Sequence, residues 1–165
     1  MTITELNARD QSEFVRSFGW VFEGSPWVAA SAWDWRPFGS LDDLHAAMTK
    51  VVEAATDAEQ LALLCAHPDL GTRAPLSDAS QGEQRGAGLD RLTAAEFVRL
   101  RQLNTEYRTK FGFPFLFAVK RGTTRDVLAA IEERRNSSAG DEFAEALRQV
   151  YKIARSRLED MGVDA

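Results

Sequence analysis

Thr93-Ala94-Ala95-Glu96-Phe97-Val98-Arg99-Leu100-Arg101-Gln102-Leu103-Asn104-Thr105-Glu106-Tyr107-Arg108-Thr109-Lys110-Phe111-Gly112 is the stretch that decides the fold. Thr93 and Glu96 form a capping box: the hydroxyl faces the Glu96 N–H, and the carboxylate reaches back to the Thr93 N–H. Phe97, Leu100, Asn104, Tyr107 and Phe111 then recur at helical spacing and line one face. Gly112 stands where a helix ends in the left-handed conformation that glycine adopts without a Cβ penalty. Convincing two-residue alternation is absent from the chain, so strands do not dominate and the pattern predicts an all-α fold.

The same punctuation recurs on both sides. Phe113 to Val119 is almost continuously apolar and fits a buried extended segment or a short helix equally well. Residues 124–135 and 141–161 read as two closing helices, with Asn136-Ser137-Ser138-Ala139-Gly140 as their linker. Upstream, Ser25-Pro26 reads as an N-cap followed by proline at the first helical position. Ser40 with Asp43 resembles a capping box, and Leu44, Met48, Val51 and Ala55 follow at helical spacing. A shorter helix over 57–66 turns Leu61 and Leu64 inward. It stops near His67, because Pro68 pushes the residue before it out of the helical region. Residues 71–79 read as a loop and 80–87 as a short helix. Neither an internal repeat nor a domain boundary is visible, so residues 1–165 are expected to form one compact multi-helix domain.

With 165 residues, 44% of them hydrophobic, such a domain needs no disulfide or metal staple. Its 20 basic and 25 acidic side chains leave a net charge of -5, which disfavours nucleic acid or an anionic membrane as partner. A single cysteine, Cys65, makes an internal disulfide impossible. The stretch 1–10 lacks the apolar core of a secretory signal, and no apolar run approaches the roughly 18 residues of a membrane span. A cytoplasmic location is the expectation.

Only His45 and His67 are histidines, so with Cys65 alone beside them a histidine- and cysteine-rich zinc site is not expected. His45 edges an apolar stripe and reads as a satisfied core histidine. His67 stands where a helix stops, either as a pocket-rim group or as a histidine bonded to a nearby backbone carbonyl. Ser80, Glu83, Gln84 and Ala87 share a helix face, either a solvated surface or a set suited to a small polar ligand. Arg157 follows Val150 and Ala154 on the buried side of the last helix. A guanidinium there needs an internal carboxylate or a bound anion. Asn104 interrupts its stripe in the same way and reads as a buried structural amide.

These positions fall within a larger pattern: Glu23-Gly24-Ser25-Pro26-Trp27, Arg36-Pro37-Phe38, Ala66-His67-Pro68-Asp69-Leu70-Gly71, Ser80-Gln81-Gly82-Glu83-Gln84, Leu103-Asn104 through Phe111-Gly112-Phe113-Pro114-Phe115, and Ile153-Ala154 with Arg157-Leu158. The chain thereby resembles the OHCU decarboxylases, which act on 2-oxo-4-hydroxy-4-carboxy-5-ureidoimidazoline in urate breakdown. The resemblance implies an all-helical homodimer that takes a small anionic substrate, forms (S)-allantoin and needs no cofactor. It implies that His67 is catalytic with Glu83 beside it and that Arg157 holds the substrate. It also implies that Pro68, the stretch Ser80, Gln81, Gly82, Glu83 and Gln84, and the stretch Phe117, Ala118, Val119, Lys120 and Arg121 line the substrate site. A non-catalytic ligand-binding module on the same helices, or a scaffold with a structural Arg157 ion pair, are the competing readings.

Overall fold

Helix ends fall where side chains satisfy the orphan backbone groups. The computed structural model describes residues 1–164. Among them are α1 Ile3–Ala8, α2 Gln11–Phe18, α3 Trp27–Ala32, a 3-10 turn Trp33–Trp35, α4 Leu41–Glu53, α5 Asp57–Cys65, α6 Asp78–Gly86, α7 Ala94–Phe111, α8 Thr124–Arg134 and α9 Ala139–Asp160. The fold is all-α. The isolated bridge between Thr2 and Asp164 is the β-type pairing found among the described residues.

Complete capping boxes open α1 (Thr2, Glu5), α2 (Asp10, Glu13), α5 (Thr56, Glu59), α7 (Thr93, Glu96) and α8 (Thr123, Asp126). Losing such a cap costs about 1 kcal/mol. Gly112 ends α7 at φ 82°, its N–H donating to the Arg108 carbonyl at 2.8 Å.

Several local expectations are corrected. Ser25 does not cap α3: Pro26 occupies the cap position in helical conformation, and the Ser25 hydroxyl turns back to the Glu23 carbonyl. Ser40 accepts the Asp43 N–H, but the Asp43 carboxylate takes the Gly39 N–H, so only half a box forms. The inner face of α4 is Leu44, Ala47, Met48 and Val52; Val51 lies off its centre, and Ala55 lies beyond the helix. On α5, Leu63 joins Leu64 in the core, whereas Leu61 is 40% exposed. The register is turned by Gln60, whose buried amide donates to the Val52 carbonyl at 2.8 Å. Two helices begin two residues early, α6 at Asp78 behind the Ser77 cap and α9 at Ala139. Residues 113–119, left open as an extended segment or a short helix, form no helix, and 113–116 and 119 are buried.

Contacts gather into two compact units. One comprises 1–66 with the chain from Ala154 onward; the other comprises 67–153. In the first, buried Phe14 packs tilted against Phe18 and stacks with Phe38. Asn7 exchanges two hydrogen bonds of 2.8 Å with the Phe38 backbone and fastens the loop before α4. In the second, Tyr107 sits edge-on to Phe113 and Phe115, with ring centroids 5.9 and 5.3 Å away. Leu100, Leu103, Val127, Ile131 and Val150 are buried in the same unit. No described helix is long and apolar enough to cross a membrane.

Candidate functional site

The second unit begins at His67, where the chain leaves α5, and holds a polar cluster. That helix stops at Cys65, and Pro68 forbids its continuation. His67 follows as a buried residue, 6% exposed. The chain then turns through Asp69, Leu70 and Gly71. Gly71 has φ +72°, a conformation that favours glycine, and a Cβ there would lie 2.7 Å from Leu100 Cδ2, so the Leu100 side chain would have to shift to admit one.

Three attachments hold this loop. Gly71 N–H donates to Gln84 Oε1 at 2.8 Å, Asn104 Nδ2 donates to the Leu70 carbonyl at 2.9 Å, and Asp69 pairs with Arg108 at 2.9 Å. The first two are buried. The third is half-exposed and contributes little to stability. Asn104 is thus the structural amide expected of it.

Gln84 ties the histidine loop to α6. Ser80 and Gln84, one turn apart, are buried at 4% and 5% exposure, and Glu83 between them is half-buried. The polar face of this helix therefore turns inward, unlike an ordinary solvated surface. Gln81 and Gly82 are exposed and do not share it. Pro68 is half-buried.

Three residues beyond the 117–121 stretch, Thr124 Oγ1 donates to the carbonyl of Ala87, the C-cap of α6, at 3.2 Å. Phe117 and Ala118 are half-buried, Val119 is buried, and Lys120 and Arg121 are exposed. Arg121 is the non-glycine residue of the described chain with a left-handed φ, at 65°. A turn closed by Gly122 N–H on the Val119 carbonyl at 2.8 Å surrounds it.

Arg157 belongs to the first unit. It is 3% exposed, as its place on the α9 stripe predicts. Its Nη1 donates to Glu23 Oε2 at 2.8 Å and to the Trp20 carbonyl at 3.1 Å. The internal carboxylate that the sequence left open is therefore present. Sequence reasoning placed Glu23 in a motif and gave it no role, because its partner stands 134 positions away. It likewise missed Gln149 and Glu142, each of which has one partner more than thirty positions away, Ala118 and Tyr107. Their signal was placement on the inner stripe of α9 with Ala146 and Val150. Among the described residues no three His, Cys, Asp or Glu side chains group as metal ligands do.

The model of the OHCU decarboxylase family matches residues 7–159 of this chain. A 2-oxo-4-hydroxy-4-carboxy-5-ureidoimidazoline decarboxylase of Halalkalicoccus jeotgali is 46% identical over 163 residues, spanning 99% of this chain and 93% of the relative. A protein of the same name from Haloferax volcanii is 44% identical, spanning 97% of this chain and 95% of its own length. Among solved structures, a crystal structure of (S)-allantoin synthase superposes with a TM-score of 0.80 at 34% identity, covering 97% of this chain. This chain spans about half of that one, 54%. With a family model matched across nearly all its length and near-full-length relatives above 40% identity, the chain belongs to the OHCU decarboxylase family.

Proposed function

We propose that the protein decarboxylates 2-oxo-4-hydroxy-4-carboxy-5-ureidoimidazoline to (S)-allantoin, the step of urate breakdown for which its relatives are named. One observation carries the reading: a buried His67 on a loop that Gly71 and Gln84 fasten to the inward polar face of α6. In this reaction the bond to the carboxylate breaks and carbon dioxide leaves. The electron pair passes into the adjacent C=N bond of the ring and leaves an enol at the carbon that carried the carboxylate; the enol gives up its hydroxyl proton to become a ring carbonyl as a proton is delivered to the neighbouring carbon, which bears the ureido group. The substrate supplies its own electron sink, so the protein's tasks are to orient the ring, stabilise developing charge and direct the proton.

His67 is assigned the proton handling, with Glu83 orienting it. Ser80 and Gln84 are assigned to the ureido group, Arg157 to an anionic oxygen or the carboxylate, and Pro68 and the 117–121 stretch to the ring's surroundings. Gln81 and Gly82 enter only through their backbone, since their side-chain positions face outward. The proposal extends to a cofactor-free reaction in a cytoplasmic homodimer built from one domain.

The test adds protein to freshly generated substrate and follows decay and product by circular dichroism. Expected are a rate above the spontaneous one and a single hand of allantoin. His67→Asn is expected to lower the rate by about a hundred- to ten-thousand-fold, with its far-ultraviolet spectrum unchanged. A racemic product, or near-normal turnover by the variant, overturns the assignment.

A further inference from the structure

We infer that Gln149 is a positioning residue for the 117–121 stretch: its side-chain oxygen takes the Ala118 N–H and sets where the following backbone points. The inference rests on the proposed decarboxylase function, in which that stretch lines the substrate site.

Gln149 lies on α9, 6% exposed, and its Oε1 accepts the Ala118 N–H at 2.9 Å. The orientation of the amide is fixed by its other end. Nε2 donates to Glu145 Oε1 at 2.8 Å, one turn earlier, while the other Glu145 oxygen receives Arg148 at 2.7 and 2.8 Å. Burial pushes the Glu145 carboxyl up, but hydrogen bonds from Gln149 and Arg148 and the neighbouring arginine charges outweigh it, holding the group below the usual carboxylate range. An ionised carboxylate only accepts, so the NH₂ group must face it and the carbonyl oxygen must face Ala118.

The stretch has no strand partner, so its backbone groups depend on individual attachments. The Leu116 carbonyl accepts Arg134 Nη1 at 2.6 Å, and the Ala118 N–H is held by Gln149. Residue 117 is thus fixed on both sides from other elements. The Val119–Gly122 hydrogen bond then forces the tight turn in which Arg121 takes its left-handed conformation. Such a conformation persists only where the surroundings over-determine it. Because Gln149 occupies the Ala118 N–H, that donor does not serve the substrate, and main-chain recognition falls to the residues after it. Backbone donors fixed before binding cost no reorganisation when the substrate arrives.

The experiment measures KM and kcat for the wild-type protein, Gln149→Asn, and the double swap Glu145→Gln with Gln149→Glu. Asparagine withdraws the acceptor by one methylene. The swap keeps an acceptor at 149 and a donor at 145. Expected for Gln149→Asn is a rise in KM of roughly tenfold with kcat changed less than about threefold, the pattern of lost binding rather than lost chemistry. The swap is expected to return KM to within about twofold of wild type, which a merely space-filling role does not predict. Should Gln149→Asn fail to fold, Gln149→Met keeps the volume, removes the acceptor and is expected to show the same rise. An unchanged KM in the folded single variant, or a folded swap that does not restore it, overturns the inference and leaves the function standing. A wild-type protein that gives no acceleration overturns the function, and this inference with it.

Discussion

Each unit holds a buried arginine–glutamate pair, and the two are built differently. In the second, Arg134 meets Glu142 at 2.5 to 2.6 Å. The same carboxylate receives the Tyr107 hydroxyl at 2.5 Å, and the guanidinium lies over the Phe115 ring at 4.5 Å. Burial, then the hydrogen bond and charge of Glu142, push the Tyr107 hydroxyl far above its ordinary pKa, so it stays a donor. In the first, Arg157 meets Glu23 at 2.8 Å and a backbone carbonyl at 3.1 Å, with the Trp20 ring 5.9 Å away. One pair closes an aromatic hub. The other ties the last turns of α9 to the chain just after α2, at a helix end where the dipole favours a cation. A buried ion pair is by itself weak evidence of either stability or function. The groups around it decide between them: ring faces and a phenol point to packing, whereas Arg157 is the one assigned to the substrate.

The largest expected effect is Glu142→Ala. It strands a buried guanidinium and a buried hydroxyl together, and is expected to cost about 3–5 kcal/mol in chemical denaturation. A loss below about 1 kcal/mol would falsify the hub's structural role. Next comes Arg157→Lys, which keeps the charge and loses the planar fork. Turnover is expected to fall roughly ten- to hundred-fold, equivalent to about 1.5–3 kcal/mol for a hydrogen bond to a charged group, while stability changes by about 1 kcal/mol or less. If stability instead collapses and the surviving folded fraction is fully active, the two pairs are of one kind and Arg157 is structural. The smallest is Tyr107→Phe, expected to cost about 1.5 kcal/mol at neutral pH. The sign of its pH dependence follows from the raised pKa. The hydroxyl's contribution is complete below the unfolded value of about 10 and declines as pH rises above it. Alkaline denaturation therefore narrows the gap between wild type and Tyr107→Phe, and a gap that widens with pH contradicts the assignment.

How far the sequence reached follows from the range of each interaction. The box at Thr93, the stop before Pro68 and the glycine cap at Gly112 act within a few residues, and each is legible from spacing alone. Boxes at Thr2 and Asp10 carry the same signal in a stretch read only for its lack of a targeting segment. Leu61 was misplaced because hydrophobicity suggested an inward side chain, while the Gln60 hydrogen bond to the end of α4 turned the register. Arg157 stood out as a charge on an apolar stripe. Glu142 lies on that stripe too, but in the first turn of a helix, where acidic residues are common for dipole reasons alone. Glu23 and Gln149 act across 134 and 31 positions, and no local pattern signals a partner at such range. The inward turn of Ser80 and Gln84 is tertiary as well, since their helix is polar enough to suit a solvated surface.

All four tryptophans, Trp20, Trp27, Trp33 and Trp35, fall within residues 1–66. The second unit, 67–153, contains none. The chain is therefore optically labelled on one side of its own division. Indole emission reports the first unit alone, and Trp20, whose ring faces the Arg157 guanidinium, is the member of the set placed to sense that cation. Far-ultraviolet ellipticity, by contrast, sums over every helix. Coincident melting curves from the two signals are the signature of a single cooperative transition, and separated curves are that of two. The uneven distribution of one residue type thus lets the unlabelled native protein disclose whether its halves fold as one.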